Sequence, residues 1–472
     1  MKILLINPPV PHINLIQKSH SEAEEVEINK REMMGPPLAL NDIAGVLRNE
    51  EVRIVDQKFE NDTTKGYDFE KAIDEEIRNF GPEIVGISCF TAHVNSARKI
   101  CKIVKNYNPK VVTVIGGLHT VLRPEDFCIP EVDLIVIGLG KKTMRSIVDA
   151  YKANSSQPDF SSIPGLGIPV DGKLKYTRQL SELSRAEIKS DHYLFYDNEA
   201  YFPDRSLTSR YPYIIESQNK QVHYMNTSLG CTDRCNFCGL WKFANGYYIP
   251  REVPSIIKEI KTMDEYPIVR MVDAHTFGNI GQSIKMFETL MQEGIEHEYI
   301  VDIRTDTVVR NADMLSIAAK AGVKVAIMGF EATTDEELAK LGKRNTIANT
   351  INAINTLHDL KIWCVGNYII NPDYDEKDFA RVGQFIDDNP ILYAGFTVMT
   401  PFPGTPQYEE MKDRITIHDL DYYNLTNAVV KTKLPENVFY TKMAELYKLS
   451  MKAREKFIKK MGLTLRKPGQ EE

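Results

Sequence analysis

A chain of 472 residues is longer than a single hydrophobic core usually organises, so the length predicts two or three domains. With 43% hydrophobic and 26% charged residues, the composition excludes a disordered or low-complexity protein. The formal charge of -7 offers no broad basic surface, which argues against a nucleic acid partner.

The first ten residues, MKILLINPPV, contain a short apolar run that two prolines interrupt, unlike the longer core of a signal peptide. No apolar run approaches the roughly 18 residues that a bilayer-spanning helix needs. We therefore expect a cytoplasmic protein without a transmembrane segment. Four of the seven cysteines are scattered singly, and the other three lie within eight residues. In a reducing compartment that spacing indicates a metal centre and not a disulfide framework.

Residues 1–150 alternate short β-branched runs with helical stretches. The runs are almost continuously apolar, which is typical of parallel strands that helices cover on both faces. The pattern predicts an α/β domain with a doubly wound, Rossmann-like parallel sheet. Ligands of such sheets bind beyond the carboxyl ends of the strands, where small residues are the candidate binding residues: Pro8, Pro9, Ser88, Gly116, Gly117, His119, Gly138 and Gly140. The same glycines would also suit tight turns that hold no ligand.

Residues 151–220 are rich in proline and lack a sustained period, so we interpret them as a connector. Strand and helix patterns alternate again from about residue 221, and they predict an open (β/α)6 partial barrel over residues 221–400. Residues 401–472 form a C-terminal extension with a helical stretch around 436–462. From residue 431 onward the extension has 11 Lys or Arg against 5 Glu. A helix that packs its apolar side on the barrel is favoured over a surface for lipid head groups or an acidic protein.

Three cysteines directly follow the first predicted barrel strand, on the loop where barrel active sites lie: Cys231, Cys235 and Cys238. Three thiolates satisfy three irons of a four-iron cluster and leave the fourth iron open, much as catalytic zinc sites keep one position vacant. A structural zinc site is the alternative, but no fourth Cys or His follows at short spacing. The sequence therefore predicts a 4Fe-4S cluster with an open iron.

The spacing CxxxCxxC, with the aromatic Phe237 before the last cysteine, resembles the signature of the radical S-adenosylmethionine (SAM) superfamily. The resemblance implies that SAM binds the open iron and that one electron from the cluster cleaves it to a 5'-deoxyadenosyl radical, which removes hydrogen from the substrate. It also implies that Phe237 is a cofactor-binding residue, and that Asp273, Arg304 and Glu331, at the ends of the next barrel strands, bind SAM. Structural pairing of Arg304 with Glu331 is the alternative.

The first domain resembles the cobalamin-binding domain that precedes the barrel in the cobalamin-dependent branch of these enzymes, and the matching segments are Asn7-Pro8-Pro9, Pro36 to Leu40, Gly116 to His119 and Gly138 to Gly140. The last glycine loop of the branch usually reads Gly-Glu-Gly-Glu, whereas Leu139 and Lys141 replace both acids here. Residues 273–278 match a DxHxxG pattern that supplies an axial histidine in other cobalamin proteins, but they lie in the barrel. The resemblance implies base-off cobalamin without a protein histidine ligand.

The most common reaction of this branch is methylation of an unactivated carbon, so the resemblance implies a methyltransferase in which a substrate radical takes its methyl group from methylcobalamin. It implies an electron donor such as flavodoxin or ferredoxin, and it leaves the substrate open among small molecules, lipids, tetrapyrroles, peptides and proteins. Cyclisation or rearrangement, with or without cobalamin, is an alternative reaction. Methylthiotransfer would need a second cysteine cluster. A corrin-binding sensor is the alternative without catalysis, and it would release no 5'-deoxyadenosine.

Overall fold

The computed structural model describes residues 1–16, 34–193 and 199–462. The first part of the chain forms a seven-stranded sheet with strands β1 (Lys2–Asn7), β2 (Glu51–Asp56), β3 (Ile84–Ser88), β4 (Val112–Gly116), β5 (Leu134–Val136), β6 (Leu166–Val170) and β7 (Lys173–Tyr176). Strands β1 to β5 are parallel and lie in the order β2-β1-β3-β4-β5. This order places a topological switch point between β1 and β3.

Helices cover both faces of this sheet, namely α1 (Leu38–Val46), α2 (Gln57–Thr63), α3 (Phe69–Phe80), α4 (Val94–Tyr107), α5 (Leu118–Leu122) and α6 (Gly140–Ala153). Successive side chains of a strand point to opposite faces. Ile3 and Leu5 accordingly pack with residues of α1 and α6, whereas Leu4 and Ile6 pack with residues of α3 and α4. Burial on both sides explains the continuous apolar runs, and the predicted doubly wound sheet is confirmed.

The segment interpreted as a connector contains more regular structure than its sequence pattern indicates. Strands β6 and β7 form an antiparallel hairpin that extends the first sheet beyond β5, and α7 (Arg185–Tyr193) follows. Proline in the segment suggested irregular backbone, but Pro169 lies in the part of β6 that does not pair with β5. A missing amide hydrogen is tolerated at such a position, so the proline does not prevent strand formation.

The second sheet curls into an open partial barrel. Its strands are β8 (Ile214–Ile215), β9 (Lys220–Met225), β12 (Ile268–Met271), β13 (Glu298–Asp302), β14 (Val323–Glu331), β15 (Trp363–Ile370) and β16 (Tyr393–Val398), and a separate ribbon pairs β10 (Ser228–Leu229) with β11 (Ile249–Pro250). Six strands, β9 and β12 to β16, are parallel and follow one another in chain order, while the short β8 pairs antiparallel with β9. This arrangement confirms the predicted (β/α)6 partial barrel.

Helices between these strands cover the convex face of the barrel: α8 (Val253–Ile260), α9 (Ile280–Gln292), α10 (Thr305–Arg310), α11 (Ala312–Lys320), α12 (Asp335–Lys340), α13 (Ile347–Asp359) and α14 (Glu376–Asp388). Four of these helices have a capping side chain that accepts a hydrogen bond from a backbone amide of the first turn. The capping residues are Asn279, Thr334, Thr346 and Asp375. Such caps fix the residue at which each helix starts, and therefore the length of the loop between the preceding strand and the helix.

The C-terminal extension contains α15 (Pro406–Met411) and the long α16 (Glu436–Met461). Helix α16 packs against β16 and α14, with Phe439, Met443 and Phe457 buried. Its Tyr447 hydroxyl donates to the carbonyl oxygen of Phe396 at 2.7 Å. The predicted packing of this helix on the barrel is confirmed. In the described parts of the chain, no helix combines the length and the apolar character needed to cross a membrane.

Candidate active site

The cysteine loop follows β10 at the carboxyl end of the first barrel strand, and neighbouring segments hold it on two sides. Asn236, between the second and third cysteines, accepts a backbone hydrogen bond from Gln407 of α15 at 3.1 Å. Its amide nitrogen donates to the carbonyl oxygen of Leu341 at 3.3 Å, and its side chain donates to that of Lys340 at 2.9 Å. The loop is therefore anchored both to the turn after α12 and to the start of the extension.

Gly230 sets the direction in which the chain enters this loop. Its φ is +77°, in the left-handed region that favours glycine. A Cβ at this position would lie 2.2 Å from the carbonyl oxygen of Tyr247 and 2.4 Å from the Cβ of Ala244. The sharp turn and the close backbone contact both require glycine directly before Cys231.

The three cysteines fit a four-iron cluster by their number and surroundings. Cys235 is buried, while Cys231 and Cys238 are half-buried. Burial raises the pKa of Cys235 to about 11, although the ammonium of Lys343 opposes that rise, so in the free protein this group is a thiol that iron would convert to a thiolate. No set of three or more His, Cys, Asp or Glu side chains in the described residues converges on one point as the ligands of a single ion would. Thiolates that each bind a different iron do not need to converge.

Asp273, a predicted cofactor-binding residue, is committed to the backbone that leads into the cysteine loop. One carboxylate oxygen accepts hydrogen bonds from the amides of Thr227 and Ser228 at 2.8 and 2.7 Å, and the other accepts from the Thr227 hydroxyl at 2.7 Å. Burial raises the pKa of this carboxyl despite those bonds. Its contacts make Asp273 a residue that positions the β9–β10 turn, and its bonds point into the protein.

Arg304, at the end of β13, contacts two carboxylates. Its Nε donates to Asp306 at 2.9 Å, and one terminal nitrogen contacts Asp233, which lies between the first two cysteines. Arg304 does not pair with Glu331, so the alternative interpretation, an ion pair between these two residues, is wrong. Charge-assisted bonds of this kind hold a guanidinium in a fixed orientation. These bonds hold Arg304 against the cysteine loop. Asp233, which lies within the CxxxCxxC motif, is the partner that sequence analysis did not identify.

Glu331, at the end of β14, pairs instead with Lys343. Its Oε1 lies 2.8 Å from the Lys343 ammonium, and both side chains are mostly buried. The backbone of Glu331 has φ of +63°, and the register of β14 against β15 shifts between Gly329 and Glu331. A bulge in which a non-glycine residue adopts this conformation stores strain, which concentrates at functional sites. The bulge turns the Glu331 carboxylate over Gly329 and toward the rim.

His275 lies on the barrel rim and not in the first sheet. Its Nε2 is 3.1 Å from the Thr307 hydroxyl, while its buried Nδ1 has no hydrogen-bond partner among the described residues. Burial, together with the nearby Arg304 guanidinium, lowers the pKa of His275 to about 4, so the ring is neutral at pH 7. This position agrees with the interpretation that the DxHxxG pattern is not a cobalt-ligand motif here.

A cavity of about 320 Å³ lies between the carboxyl edge of the first sheet and the beginning of the barrel. Apolar side chains of β1, β3, β4 and β5 line its depth, together with residues of α1 and α6. The barrel side contributes Asn226, Leu229, Phe243 and Val272. Gly86 in the middle of β3 leaves room for the Leu5 side chain, because a Cβ there would lie 2.8 Å from the Leu5 Cδ2 atom. The cavity is therefore shared by both parts of the chain.

Five of the nine residues predicted to bind a ligand at the sheet edge line this cavity: Ser88, Gly116, Gly117, Gly138 and Gly140. Asn7, Pro8, Pro9 and His119 do not line it. The side chain of Asn7 donates to Asp56 at 2.7 Å, and both prolines are buried beside it. His119 is fully buried, with Nδ1 3.0 Å from the Thr91 hydroxyl and Nε2 2.9 Å from Asp126.

The cavity also has a charged wall that sequence analysis did not assign. Lys141, which replaces an acid of the usual glycine loop, is buried in the first turn of α6, and its ammonium lies 3.0 Å from Asp42 of α1. Sequence alone indicated the loss of two acids from the loop. The structure places a different acid on a neighbouring helix, next to the lysine.

The concave face of the barrel carries its own apolar cluster, which includes Val222, Ile268, Ile300 and Val325. Tyr211 and Tyr213 close one end, where their rings lie 5.3 Å from that of Phe59 in the first part of the chain. Nearer the cysteine loop, Arg270 and Asp302 are only partly buried, with 3.3 Å between Nη2 and Oδ2. Burial raises the pKa of Asp302 to about 6, although Arg270 opposes the rise. The carboxyl ends of β12 and β13 therefore carry a partly exposed ion pair.

Comparisons with known proteins agree with this two-part arrangement. The B12 binding domain family matches residues 26–148, and the radical SAM superfamily matches residues 225–386. An anaerobic magnesium-protoporphyrin IX monomethyl ester cyclase from Rubrivivax gelatinosus is 26% identical over 77% of this chain, which spans only 64% of the length of the cyclase. The hopanoid C-3 methylase of Methylococcus capsulatus is 25% identical over 88% of this chain and 77% of its own length.

A solved structure has the same fold over nearly the whole chain. The radical SAM methyltransferase TsrM from Kitasatospora setae, solved with cobalamin and a 4Fe-4S cluster, matches with a TM-score of 0.68 and 16% identity. The match covers 95% of this chain and 90% of TsrM. A B12-binding domain followed by a radical SAM domain defines a class of enzymes that use both cofactors. The chain belongs to the cobalamin-dependent radical SAM enzymes, and its domains imply a 4Fe-4S cluster, SAM and cobalamin.

Proposed function

We propose that this enzyme is a C-methyltransferase that adds a methyl group to an unactivated carbon of its substrate. One observation carries the proposal: the cavity assigned to the corrin has Leu229 in its wall, two residues before Cys231 of the cluster loop. When bound, the cluster with SAM would supply a 5'-deoxyadenosyl radical, and the corrin would carry the methyl group. The hopanoid methylase and TsrM, both named as methyl-transferring enzymes, support this reaction.

Cys231, Cys235 and Cys238 would bind the cluster, and Arg304 and Glu331 would bind SAM. Each of these two anchors already has a partner of opposite charge, Asp233 for the arginine and Lys343 for the glutamate. The carboxylate of SAM would therefore replace a carboxylate at Arg304, and its ammonium would replace an ammonium at Glu331. Such exchange would keep the Arg304 guanidinium and the Glu331 carboxylate paired before and after binding, which limits the cost of desolvating these two groups.

We propose that cobalamin binds base-off, without a histidine from the protein. Both ring nitrogens of His119 are already committed to Thr91 and Asp126, and the ring does not line the cavity. His275 belongs to the barrel rim, where Thr307 holds it. Neither histidine is placed to approach a corrin from the sheet side, so the cavity beneath the glycine loops would receive the detached nucleotide tail.

The concave face of the barrel would hold the substrate, and the Arg270–Asp302 ion pair lies at the ends of two of its strands. Walls that exclude water matter here because a carbon radical reacts with almost any neighbour. The substrate would be a small molecule, and the electron would come from a donor such as flavodoxin or ferredoxin.

The first experiment tests the cluster assignment in protein purified and reconstituted without oxygen. Cys231→Ala should lose cluster iron and release no 5'-deoxyadenosine from SAM under reducing conditions, because the radical chemistry needs all three thiolates. Cys128→Ala, at a half-buried cysteine of the first sheet domain, is the matched control. It should keep the cluster iron and still release 5'-deoxyadenosine. Release of 5'-deoxyadenosine by the Cys231 variant would contradict the assignment.

A second experiment separates methyl transfer from cyclisation. The reconstituted enzyme is incubated with reduced cobalamin and SAM that carries a labelled methyl group, and the corrin is then extracted in the dark. Label on the corrin supports a methyltransferase and justifies screening substrates with the same label. Release of 5'-deoxyadenosine without any label on the corrin would favour a reaction without methyl transfer, as in the related cyclase.

A further inference from the structure

The cavity between the two parts of the chain has one cation and one anion among its described lining residues, Lys141 and Asp42. Only about 5% of the Lys141 side chain and 8% of the Asp42 side chain is exposed. The remaining lining is mostly apolar, with Ile87, Val136 and Met144 deep in the cavity. An ion pair inside such a cavity is costly to desolvate, so it requires an explanation beyond the packing of two helices.

The ammonium of Lys141 is enclosed in this cavity with a carboxylate 3.0 Å away. Burial lowers the pKa of Lys141 to about 8, even though the Asp42 carboxylate works in the opposite direction. An anionic group of a ligand in the cavity would lie beside this ammonium among mostly apolar side chains. Lys141 lies in the first turn of α6, directly after Gly138 and Gly140, where the amides of the turn and the positive end of the helix also favour negative charge.

A ligand that fits this cavity combines an aromatic group for the apolar part with a single negative charge beside Lys141. The nucleotide tail of cobalamin has both, a benzimidazole base and a phosphodiester. We propose that Lys141, held by Asp42, binds the phosphodiester of the cobalamin tail and makes the enzyme select corrins that carry a complete tail. This inference rests on the proposed base-off binding of cobalamin, and it assigns a role to the residue that departs most from the usual glycine loop.

The test compares two corrinoids that differ in the tail. Cobinamide lacks the nucleotide and its phosphodiester, whereas cobalamin has both. The full-length protein, reconstituted with its cluster, is titrated with each corrinoid, and dissociation constants are read from the visible spectrum. Lys141→Met should weaken cobalamin binding roughly 10- to 100-fold, as expected for the loss of one charge-assisted hydrogen bond. Its affinity for cobinamide should stay within about twofold, since that ligand never contacts the lysine.

Lys142→Met is the matched control, because the neighbouring lysine is exposed and does not line the cavity. It should bind both corrinoids as the wild type does. Lys141→Gln, which keeps a polar group in the same space, carries the test if the methionine variant does not fold. Lys141→Arg should retain the preference for cobalamin.

The outcomes separate this inference from the cofactor assignment. Equal weakening of both corrinoids would mean that Lys141 supports the cavity walls only, and unchanged binding of both would mean that it does not touch the tail; either result overturns the inference. A wild-type protein that binds cobinamide as tightly as cobalamin would also overturn it, while leaving corrin binding intact. A wild-type protein that binds neither corrinoid would instead refute the proposed cofactor.

Discussion

Replacing Gly117 with alanine tests whether the loop after β4 must stay free of side chains. Gly117 has φ of +110°, which a residue with a Cβ rarely adopts. A Cβ there would lie 2.6 Å from the carbonyl oxygen and 2.7 Å from the amide nitrogen of Cys89. Both are backbone atoms, and both are already hydrogen-bonded, to the amide of His119 and the carbonyl oxygen of Gly116. They cannot move aside as the end of a flexible side chain can.

Two costs add up at this position. Holding a non-glycine residue in a sparsely populated conformation costs about 1–3 kcal/mol. Forcing a methyl group into well-packed surroundings costs about 1–3 kcal/mol more. Gly117→Ala should therefore lower the free energy of unfolding by about 2–6 kcal/mol, a large part of the stability of an ordinary domain. Because Gly117 lines the cavity, the variant should also bind cobalamin more weakly.

Urea unfolding followed by far-ultraviolet circular dichroism measures this loss, with Gly66→Ala as the control. Gly66 also has a positive φ, +74°, but no heavy atom lies within 4 Å of its Cβ position. Its substitution should carry only the conformational cost, about 1–2 kcal/mol. If Gly117→Ala proves no more destabilising than Gly66→Ala, the clash with Cys89 does not exist and the reasoning about this loop fails.

Two further substitutions test the ion pairs of the barrel. Glu259→Gln should lower the free energy of unfolding at pH 7 by about 3–5 kcal/mol, because two buried arginines lose their shared carboxylate. Burial alone would raise the pKa of Glu259, but the two arginines lower that pKa to about 2. In urea titrations, the difference in free energy of unfolding between the variant and the wild type should therefore shrink as pH falls from about 4.5 to 2. The exposed control Glu252→Gln should change little. Gly329→Ala would place a Cβ 2.1 Å from the Glu331 carboxylate. This variant should bind SAM at least tenfold more weakly in equilibrium dialysis, which corresponds to about 1.4 kcal/mol. Gly281→Ala is the control, because the nearest atom to its Cβ would be 3.9 Å away, and it should bind SAM as the wild type does. Unchanged SAM affinity in the Gly329 variant would count against Glu331 as an anchor.

Sequence predicts most of the fold because the information is local. Strands buried on both faces appear as unbroken apolar runs, and β1, β3 and β4 all have this signature. The hairpin β6–β7 escaped prediction because it lies at the edge of the sheet. There β7 is largely exposed, and β6 contains Pro169 and is buried only at Leu166 and Gly167, so neither alternation nor continuous hydrophobicity marks the two strands.

The partners of charged residues are the part of the site that sequence does not predict. Glu331 is twelve residues from Lys343, with a helix between them, and no periodic rule links the two positions. Sequence analysis offered Arg304 as the partner because both residues end barrel strands. The bulge in β14 decides otherwise, since it turns the glutamate toward Lys343 and leaves the arginine to Asp233.

The β9–β10 turn would connect the two proposed cofactor sites through one carboxylate. Asp273 fixes Thr227 and Ser228 by three hydrogen bonds. The residues on either side of that pair, Asn226 and Leu229, form the barrel wall of the cavity, and the cysteine loop begins directly afterwards. Because so short a segment serves both sites, a shift of the turn would move the wall of the corrin cavity and the cluster loop together. The position of one cofactor relative to the other would thus depend on the buried carboxylate of Asp273, which accepts three hydrogen bonds from this turn.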